Sequence, residues 1–358
     1  MGKKIPKAIC IFGARFMLQQ VQRLEDEMEG VQIGEDIETI HRMRVASRRL
    51  RNGLNLFKEC LPGKKAKTWL DEVRRITRAL GNARDMDIQI EKLTQLYEHN
   101  LDAKYKPGYS RLLLRLKQRR TKAQKKINKT ISKLQEGKTL QKMTSRFEKL
   151  APKSEKTYLY TPSLYQKAFD AINSSLDDFL SYQEYLPEPE NIDNLHAMRI
   201  AGKHLRYTME VFAPVYDGAL DPYIIMMKEL QDQLGEIHDD DVWVSWLPKF
   251  IDQEQARIED YFGNTGPLKR LLPGLLFLME DRKQAREEAY QSFLITWQSL
   301  EEENAWPTLK ELIKAPINVE AALEHITAEE EIEPEDNTGD DGEVEPELEP
   351  TISEESPI

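Results

Sequence analysis

No lysine or arginine follows Lys314 in this 358-residue chain, whereas 16 aspartates and glutamates lie between Glu320 and Glu355. The formal net charge of −11 therefore conceals a body, residues 1–315, that carries 51 basic and 46 acidic side chains. A mildly basic body followed by an acidic segment is typical of a folded part joined to a separate solvated tail. The overall negative charge therefore does not exclude an anionic ligand.

Cysteines and long apolar runs are also scarce. The chain has only two cysteines, Cys10 and Cys60, which are too few for a disulfide scaffold and match no metal-site spacing. Their scarcity is typical of a reducing compartment, so we expect a cytoplasmic protein. No segment approaches the ~20 apolar residues of a membrane-spanning helix. Arg15 follows the short apolar stretch at the start and argues against a signal peptide.

Strand signals are nearly absent, and helical periodicity dominates from about residue 8 to 305. The pattern predicts an all-α fold of two pseudo-symmetric helical bundles. Helices are expected near 8–28, 36–60, 64–80, 84–100, 109–149, 163–184, 191–213, 220–235, 239–261 and 267–303. The predicted organisation is a first half (1–150), a linker (151–162), a second half (163–305) and an acidic tail (306–358). The tail has few apolar residues, so we expect it to be mostly disordered.

The two halves are predicted from an internal repeat. Residues 40–57 read IHRMRVASRRLRNGLNLF, and residues 195–212 read LHAMRIAGKHLRYTMEVF. A second pair follows in the same order, LGNARDMDIQIEKL (80–93) and LGEIHDDDVWVSWL (234–247). Two ordered matches, at offsets of 155 and 154, indicate duplication of one helical unit, whose copies should pack with approximate two-fold symmetry.

The repeated helix has one cationic face. At 100° per residue, His41, Arg44, Arg48 and Arg51 fall within an arc of about 80°, and apolar residues such as Met43 and Leu50 lie roughly opposite. The copy repeats this ladder with His196, Arg199, Lys203 and Arg206. Like charges three and four residues apart repel one another. We therefore expect a ligand or a neighbouring element to offset the repulsion.

Other basic residues extend the prediction. Between Ala103 and Gln135 the chain has twelve lysines or arginines and no acid, and part of this set forms a stripe along one helix face. The remaining predicted anion-binding residues are Arg49 and His204 at the edge of the ladders, Arg74, Arg75 and Arg78 ahead of a turn at Gly81, and Arg111, Arg115, Arg119, Lys122 and Lys126 on the stripe. Solvated faces, or acids on neighbouring helices, are the alternative explanation for such stripes.

The composition favours recognition of phosphates without recognition of bases. Sites for single-stranded nucleic acid combine cations with aromatic stacking platforms. No aromatic residue occurs between Ser110 and Arg146, or within His41–Arg51 and His196–Arg206. No phosphate-binding glycine loop or nucleophile motif is present either. The sequence therefore predicts a binding site for a polyanion.

In these segments the chain resembles the CHAD family of histidine-containing α-helical domains. The resemblance rests on two H-x-M-R-[VI]-A-x-[RK]-x-L-R segments and two L-G-x-x-x-D-x-D segments, and it covers roughly residues 8–305. It implies two helical bundles around a basic cavity or groove that binds inorganic polyphosphate, often at polyphosphate granules. The E-x-E-x-K signature of the catalytic domain that often accompanies this family is absent.

We therefore expect non-catalytic binding of polyphosphate, with no cofactor and no metal. One alternative is a metal-dependent phosphohydrolase of the all-helical HD type, with His238, Asp239, Asp240, Asp241 and His196 as ligands. Arg84 occupies the position equivalent to His238 in the first half, which disfavours this alternative. Sequence-independent nucleic-acid binding is the other alternative. For Asp85, Asp87, Asp239 and Asp241, helix capping or ion pairing with the ladders is the structural explanation.

Overall fold

Eleven α-helices form the part of the chain that the computed structural model describes, residues 5–98, 101–152 and 159–330, with side chains to 317. They are α1 Lys7–Asp26, α2 Met28–Ile33, α3 Ile37–Leu56, α4 Gly63–Glu98, α5 Lys106–Glu136, α6 Thr139–Leu150, α7 Pro162–Leu180, α8 Ile192–Phe212, α9 Asp221–Phe262, α10 Leu272–Glu302 and α11 Ala305–Glu330. No strand occurs within these ranges, and the predicted all-α fold is confirmed.

The duplication is visible in the helix order. Helices α1, α3, α4, α5 and α6 of the first half correspond to α7, α8, α9, α10 and α11 of the second. Equivalent contacts recur, because α3 packs on α4 as α8 packs on α9, and α4 pairs with α5 as α9 pairs with α10. Hydrogen bonds fix the first of these contacts at equivalent positions, Thr77 to Ser47 and Gln231 to the carbonyl oxygen of Gly202.

Helices α4 and α9 are longer than the sequence predicts. Breaks were expected near residues 80–84 and 235–239, where glycine follows leucine, but both helices continue through these positions. Gly81 and Gly235 have ordinary helical backbones, since neither has a positive φ. Local propensity disfavours glycine inside a helix by about 1 kcal/mol, which packing on α3 and α8 outweighs. The acids that follow these glycines therefore lie inside helices and are not N-caps.

The two halves meet where α1 contacts α7 and at two further places. At the first, α3 contacts α8, and the rings of Phe12, Phe57 and Phe212 cluster with centroids 5.9–6.1 Å apart. At the second, α5 contacts α10 near their N-terminal ends. A Cβ on Gly108 would overlap the carbonyl oxygen of Leu271, and one on Gly274 would overlap that of Tyr105, so this contact requires glycine. The space between these contacts contains the cationic ladders.

Cys10 and Cys60 form a disulfide, with their Cα atoms 5.4 Å apart. It joins α1 to the 3-10 turn Lys58–Cys60 after α3 and closes a loop of 50 residues. The scarcity of cysteines was taken as typical of a reducing compartment and did not predict this disulfide. Sequence spacing could not predict the pairing, because only the packing of α1 on α3 brings the two residues together.

The C-terminal boundary also differs from the prediction. Helix α11 begins at Ala305, and its side chains Trp306, Leu309 and Ile313 are buried in the core, so the tail does not start at 306. Residues 1–317 form one unit, and 318–358 form a second unit whose described part, 318–330, is helical. The predicted disorder beyond Glu330 lies outside the described residues. No helix in the described ranges is both long and apolar enough to span a membrane.

Candidate functional site

The two cationic ladders face one another across the interface of the halves. The guanidinium of Arg48 on α3 lies beside Tyr207 on α8, with Nη1 3.4 Å from the tyrosine hydroxyl oxygen. Arg44 and Arg48 lie close enough to Arg199 and Lys203 to depress the pKa values of these groups. We call Arg44, Arg48, Arg51, Arg199 and Lys203 the central cluster. Its members come from both copies of the repeated helix.

Arg44 and Arg199 pack in equivalent positions on the neighbouring helices, α4 and α9. The guanidinium of Arg44 lies over Gly81, where a Cβ would be 3.6 Å from its Nε, and Arg199 lies over Gly235 in the same way, at 3.7 Å. Asp85 accepts a hydrogen bond of 3.2 Å from Nη2 of Arg44. Asp239 attracts Arg199 electrostatically from the equivalent position. The second repeated motif thus places a glycine and a carboxylate next to each of the two arginines.

The central cluster has more positive than negative groups. Burial lowers the pKa of Arg44, Arg51 and Arg199, and neighbouring cations lower it further. Burial and repulsion from Arg199, Arg48 and Arg44 lower the pKa of Lys203 to about 6. Within the described residues, Arg51, Arg199 and Lys203 form no hydrogen bond or ion pair through their side chains. These groups retain their capacity to bind an anion.

The two repeat histidines have different partners. Nδ1 of His196 lies 3.0 Å from Nδ1 of His238, and their rings stack at 4.1 Å. Burial, with repulsion from Arg199, lowers the pKa of His238 to about 4 and also lowers that of His196. In the first half, burial and Arg84, which replaces the second histidine, lower the pKa of His41. Both repeat histidines therefore flank the central cluster in neutral form at pH 7.

Arg49 and Arg206 are part of the interface and not of the central cluster. Both bind the carboxylate of Glu210, Arg49 across the interface at 2.7 Å and Arg206 within α8 at 2.5 Å. Arg206 also donates to Gln231 and lies over the ring of Tyr207. The predicted ligand role of these two residues is replaced by a structural one. His204 lies at the edge of the central cluster, with its Nδ1 3.1 Å from the hydroxyl oxygen of Ser175 on α7.

The predicted stripe on α5 divides among different surroundings. Arg111 and Arg115 bind Glu254, whose side chain is 0 % exposed, at 2.9 and 2.7 Å. Hydrogen bonds from these arginines outweigh the effect of burial and hold the pKa of Glu254 below its ordinary value. These two arginines are therefore neutralised by a neighbouring helix, contrary to the predicted ligand role. Long-range pairing of this kind has no signal in local periodicity.

Other stripe residues are accessible but separate from the central cluster. Arg119 covers the ring of Trp246 at 5.2 Å and borders a small cavity that also contains Asp85. Lys122 is exposed on the surface. Arg75, Arg78 and Lys126 border a different groove between α4 and α5. Arg74, in contrast, lies near Arg51 and forms an ion pair of 3.4 Å with Asp71.

The acids of the second repeated motif act mainly as ion-pair partners. Asp87 binds Arg120 at 2.6 Å, Asp240 binds Arg282 at 3.2 Å, and Asp241 binds Arg286 at 2.9 Å. The predicted ion pairing with the ladders is found for Asp85, which binds Arg44, whereas Asp87 and Asp241 pair with arginines outside the ladders. The predicted N-capping is not found. Among the described residues, no group of three or more His, Cys, Asp or Glu side chains could hold a metal ion. The candidate HD ligands are thus engaged with arginines or with each other.

Two neighbours of the central cluster, Tyr207 and His238, were not among the residues predicted to bind an anion. Tyr207 was not selected, although it follows a repeat arginine directly, because its counterpart Asn52 is not aromatic. The sequence also gave no indication that His238 stacks on His196.

Comparisons with known proteins agree with this architecture. The CHAD domain family matches residues 15–248. The crystal structure of the CHAD domain from the plant Ricinus communis superposes with a TM-score of 0.53 at 18 % identity, covering 89 % of this chain and 93 % of that one. PptA from Streptomyces chartreusis superposes with a TM-score of 0.53 at 15 % identity, covering 80 % and 98 %. No curated protein matches the sequence. The repeat, the fold and the match over most of the chain establish that this protein belongs to the CHAD domain family.

Proposed function

We propose that this protein binds inorganic polyphosphate, without catalysis, in the central cluster between its two halves. The observation that carries the proposal is the state of Arg51, Arg199 and Lys203, which all lie near Arg48 and whose side chains form no ion pair or hydrogen bond among the described residues. A multivalent phosphate chain would neutralise them and supply charge-assisted hydrogen bonds. Membership of the CHAD family, which is linked to polyphosphate binding in general, supports the choice of ligand.

Nucleic acid fits the central cluster less well. Binding of single strands relies on aromatic rings that stack on bases. Tyr207 is the aromatic side chain next to the cluster, it is 8 % exposed, and Arg206 covers its ring at 4.7 Å. The ring of Trp246 is likewise covered by Arg119. A ligand that offers phosphates alone requires none of these rings.

Hydrolysis would require activation of a water molecule by a base or a metal. Asp85, an acid next to the cluster, forms an ion pair with Arg44, and Asp239 interacts electrostatically with Arg199. Burial and Arg199 hold the pKa of His238 near 4, which makes it a weak base. These surroundings support a binding role, and orthophosphate release in the presence of Mg²⁺ or Mn²⁺ would overturn it.

The decisive test replaces Arg44 and Arg199, the two arginines that lie over glycines. In the double variant Arg44→Gln and Arg199→Gln we expect the affinity for long-chain polyphosphate to fall by about 100-fold, as two hydrogen bonds to charged groups are lost. The matched control is Lys269→Gln with Arg270→Gln, which removes the same charge from an exposed turn outside the site. Isothermal titration at physiological salt gives the dissociation constants, and circular dichroism reports the helical fold.

Equal losses in both double variants would mean that only net charge matters and would refute the site. Single-stranded DNA at equal phosphate concentration should compete poorly for the wild-type protein. Strong competition would favour the nucleic-acid alternative. The granule association implied by the family resemblance and the cytoplasmic location predicted from the scarcity of cysteines stay predictions, and the Cys10–Cys60 disulfide removes the support that the cysteines gave to the second.

A further inference from the structure

A second concave basic surface lies on the first half, away from the central cluster. Its first part is a groove of about 850 Å³ between α4 and α6. Trp69 lines this groove, and its ring packs edge to face on the buried ring of Phe147, with centroids 5.9 Å apart. The cations that border the groove are Lys64, Lys65, Lys138, Lys142, Arg146 and Lys149. They approach one space from two helices and so form a concave site, unlike a solvated stripe on a single helix.

These cations lack acidic partners. None of the six forms an ion pair with a described carboxylate; Lys142 donates to the carbonyl oxygen of Gly137 at 2.8 Å. The single acid in the groove, Glu72, accepts a hydrogen bond of 2.6 Å from Thr139 and lies 3.8 Å from Arg75. Lys138 adopts a left-handed backbone with φ of 48°, an unfavourable conformation for a lysine. The groove therefore has a strong, unneutralised positive field.

The surface continues towards α5. A second groove of about 510 Å³ shares Glu72 with the first and is bordered by Arg75, Arg78, Lys126, Lys129 and Lys133. Within the described residues, Arg78 and these three lysines have no ion-pair partner either. We call the two joined grooves the outer groove. From Lys64 to Arg78 it follows α4 for about 21 Å, which suits an extended ligand and exceeds the size of a single phosphate.

The outer groove is connected to the central cluster across α4. Arg74 lies next to Arg51 of the central cluster, and on the helix Arg78 is offset by about 40° from Arg74 and about 60° from Arg75. Positive groups thus follow one another from Arg51 to the outer groove. A chain anchored in the central cluster would meet the outer groove at a high effective concentration.

We propose that the outer groove is a second binding site for the same polyphosphate chain, which reaches it from the central cluster across Arg74 and Arg78. This inference rests on the proposed function, and it makes the affinity depend on chain length. Tripolyphosphate can occupy the central cluster but cannot span both sites. A long chain occupies both sites at once and gains affinity without any change in either site.

The test compares chain lengths in an outer-groove variant, Lys65→Gln with Lys138→Gln and Lys149→Gln. We expect its affinity for long-chain polyphosphate to fall by about tenfold or more, whereas its affinity for tripolyphosphate stays that of the wild type. The control is Lys117→Gln with Lys125→Gln and Lys228→Gln, three exposed lysines that border neither groove. Isothermal titration of full-length protein with each chain, and circular dichroism of each variant, provide the readouts.

The outcomes separate the two proposals. If Arg44→Gln with Arg199→Gln weakens both chain lengths and the outer-groove variant behaves as its control, the outer groove is refuted and the central site stands. If this central variant, Arg44→Gln with Arg199→Gln, changes the affinity for neither chain length, the proposed function itself is refuted. In the central variant, residual binding of long chains should disappear when the three outer lysines are also replaced, and its persistence would contradict the outer groove.

Discussion

Arg44 lies directly over Gly81, so that a β-carbon at position 81 would stand 3.6 Å from its Nε. The same relationship holds between Arg199 and Gly235. The glycines of the second repeated motif thus lie beneath the arginines of the first, with space for a β-carbon at ordinary contact distance. Of the carboxylates four residues later, Asp85 binds Arg44, and Asp239 attracts Arg199 electrostatically.

This relationship gives a graded prediction at position 81. Gly81→Ala places a methyl group at ordinary contact distance and removes the helix penalty of glycine, so we expect unchanged binding and a gain of up to about 1 kcal/mol in stability. Gly81→Leu should displace Arg44 and reduce polyphosphate affinity while the protein stays folded. Titration and thermal unfolding of both variants provide the check. If Gly81→Leu bound polyphosphate as tightly as the wild type, the packing of Arg44 on Gly81 would not matter for binding and the prediction would be wrong.

Lys203 should make the free protein less stable as the pH falls from about 10 to 6. In the folded state its pKa is about 6 instead of 10.5, because it is buried beside Arg199 and Arg48. The unfolded chain then binds more protons between these values, so stability rises with pH across this window. Lys203→Met should flatten the dependence and raise the free energy of unfolding at pH 7 by on the order of 1 kcal/mol. Urea unfolding at several pH values would show no change in slope if the prediction is wrong.

Binding should take up protons. An anion in the central cluster favours the charged forms of Lys203 and His196, whose pKa values are lowered in the free protein. The affinity for polyphosphate should therefore be higher at pH 6 than at pH 8. Calorimetry in two buffers with different ionisation enthalpies measures the uptake, which Lys203→Met should reduce. Proton-neutral binding with equal affinity at both pH values would place the ligand elsewhere.

Glu254 should matter for stability and not for binding. Glu254→Gln leaves Arg111 and Arg115 without their carboxylate, which should cost about 1–3 kcal/mol because the arginines still reach solvent. Since the folded-state pKa of Glu254 is lowered, its contribution is present above its unfolded pKa and is lost as the pH falls through the folded value. The exposed Glu259→Gln on the same helix is the control. If Glu254→Gln greatly lowered the affinity for polyphosphate while the fold stayed intact, Arg111 and Arg115 would belong to the binding site.

The disulfide predicts a redox-dependent stability. Cys60→Ser opens the 50-residue loop between α1 and the turn after α3 and should lower the free energy of unfolding by about 2–4 kcal/mol. Reduction of the wild type should lower the melting temperature to that of the variant. Mass spectrometry under non-reducing conditions establishes whether the bond is present in the purified protein. Two free thiols after aerobic purification would be the contrary result.

Helix positions and the core could be read from periodicity, since a helix repeats every 3.6 residues and its buried face is a local pattern. Met43, Leu50 and Leu54 are buried as the apolar stripe predicted, and their counterparts in α8 are too. The breaks near Gly81 and Gly235 were predicted wrongly, because both glycines have helical backbones and the packing of α4 on α3 and of α9 on α8 outweighs their low helix propensity. The sequence also could not indicate that Cys10 meets Cys60.

By itself, the sequence determined that the protein is helical, that it is built twice, and that each copy carries the same row of cations, because all three are encoded by residue order along one helix. Tertiary structure decided which cations stay unpaired. Arg49, Arg111, Arg115 and Arg206 are neutralised by Glu210 and Glu254, whereas Arg51, Arg199 and Lys203 form no ion pair among the described residues. Charge neutralisation depends on distances between helices far apart in the chain, and only the packing of the two halves sets those distances.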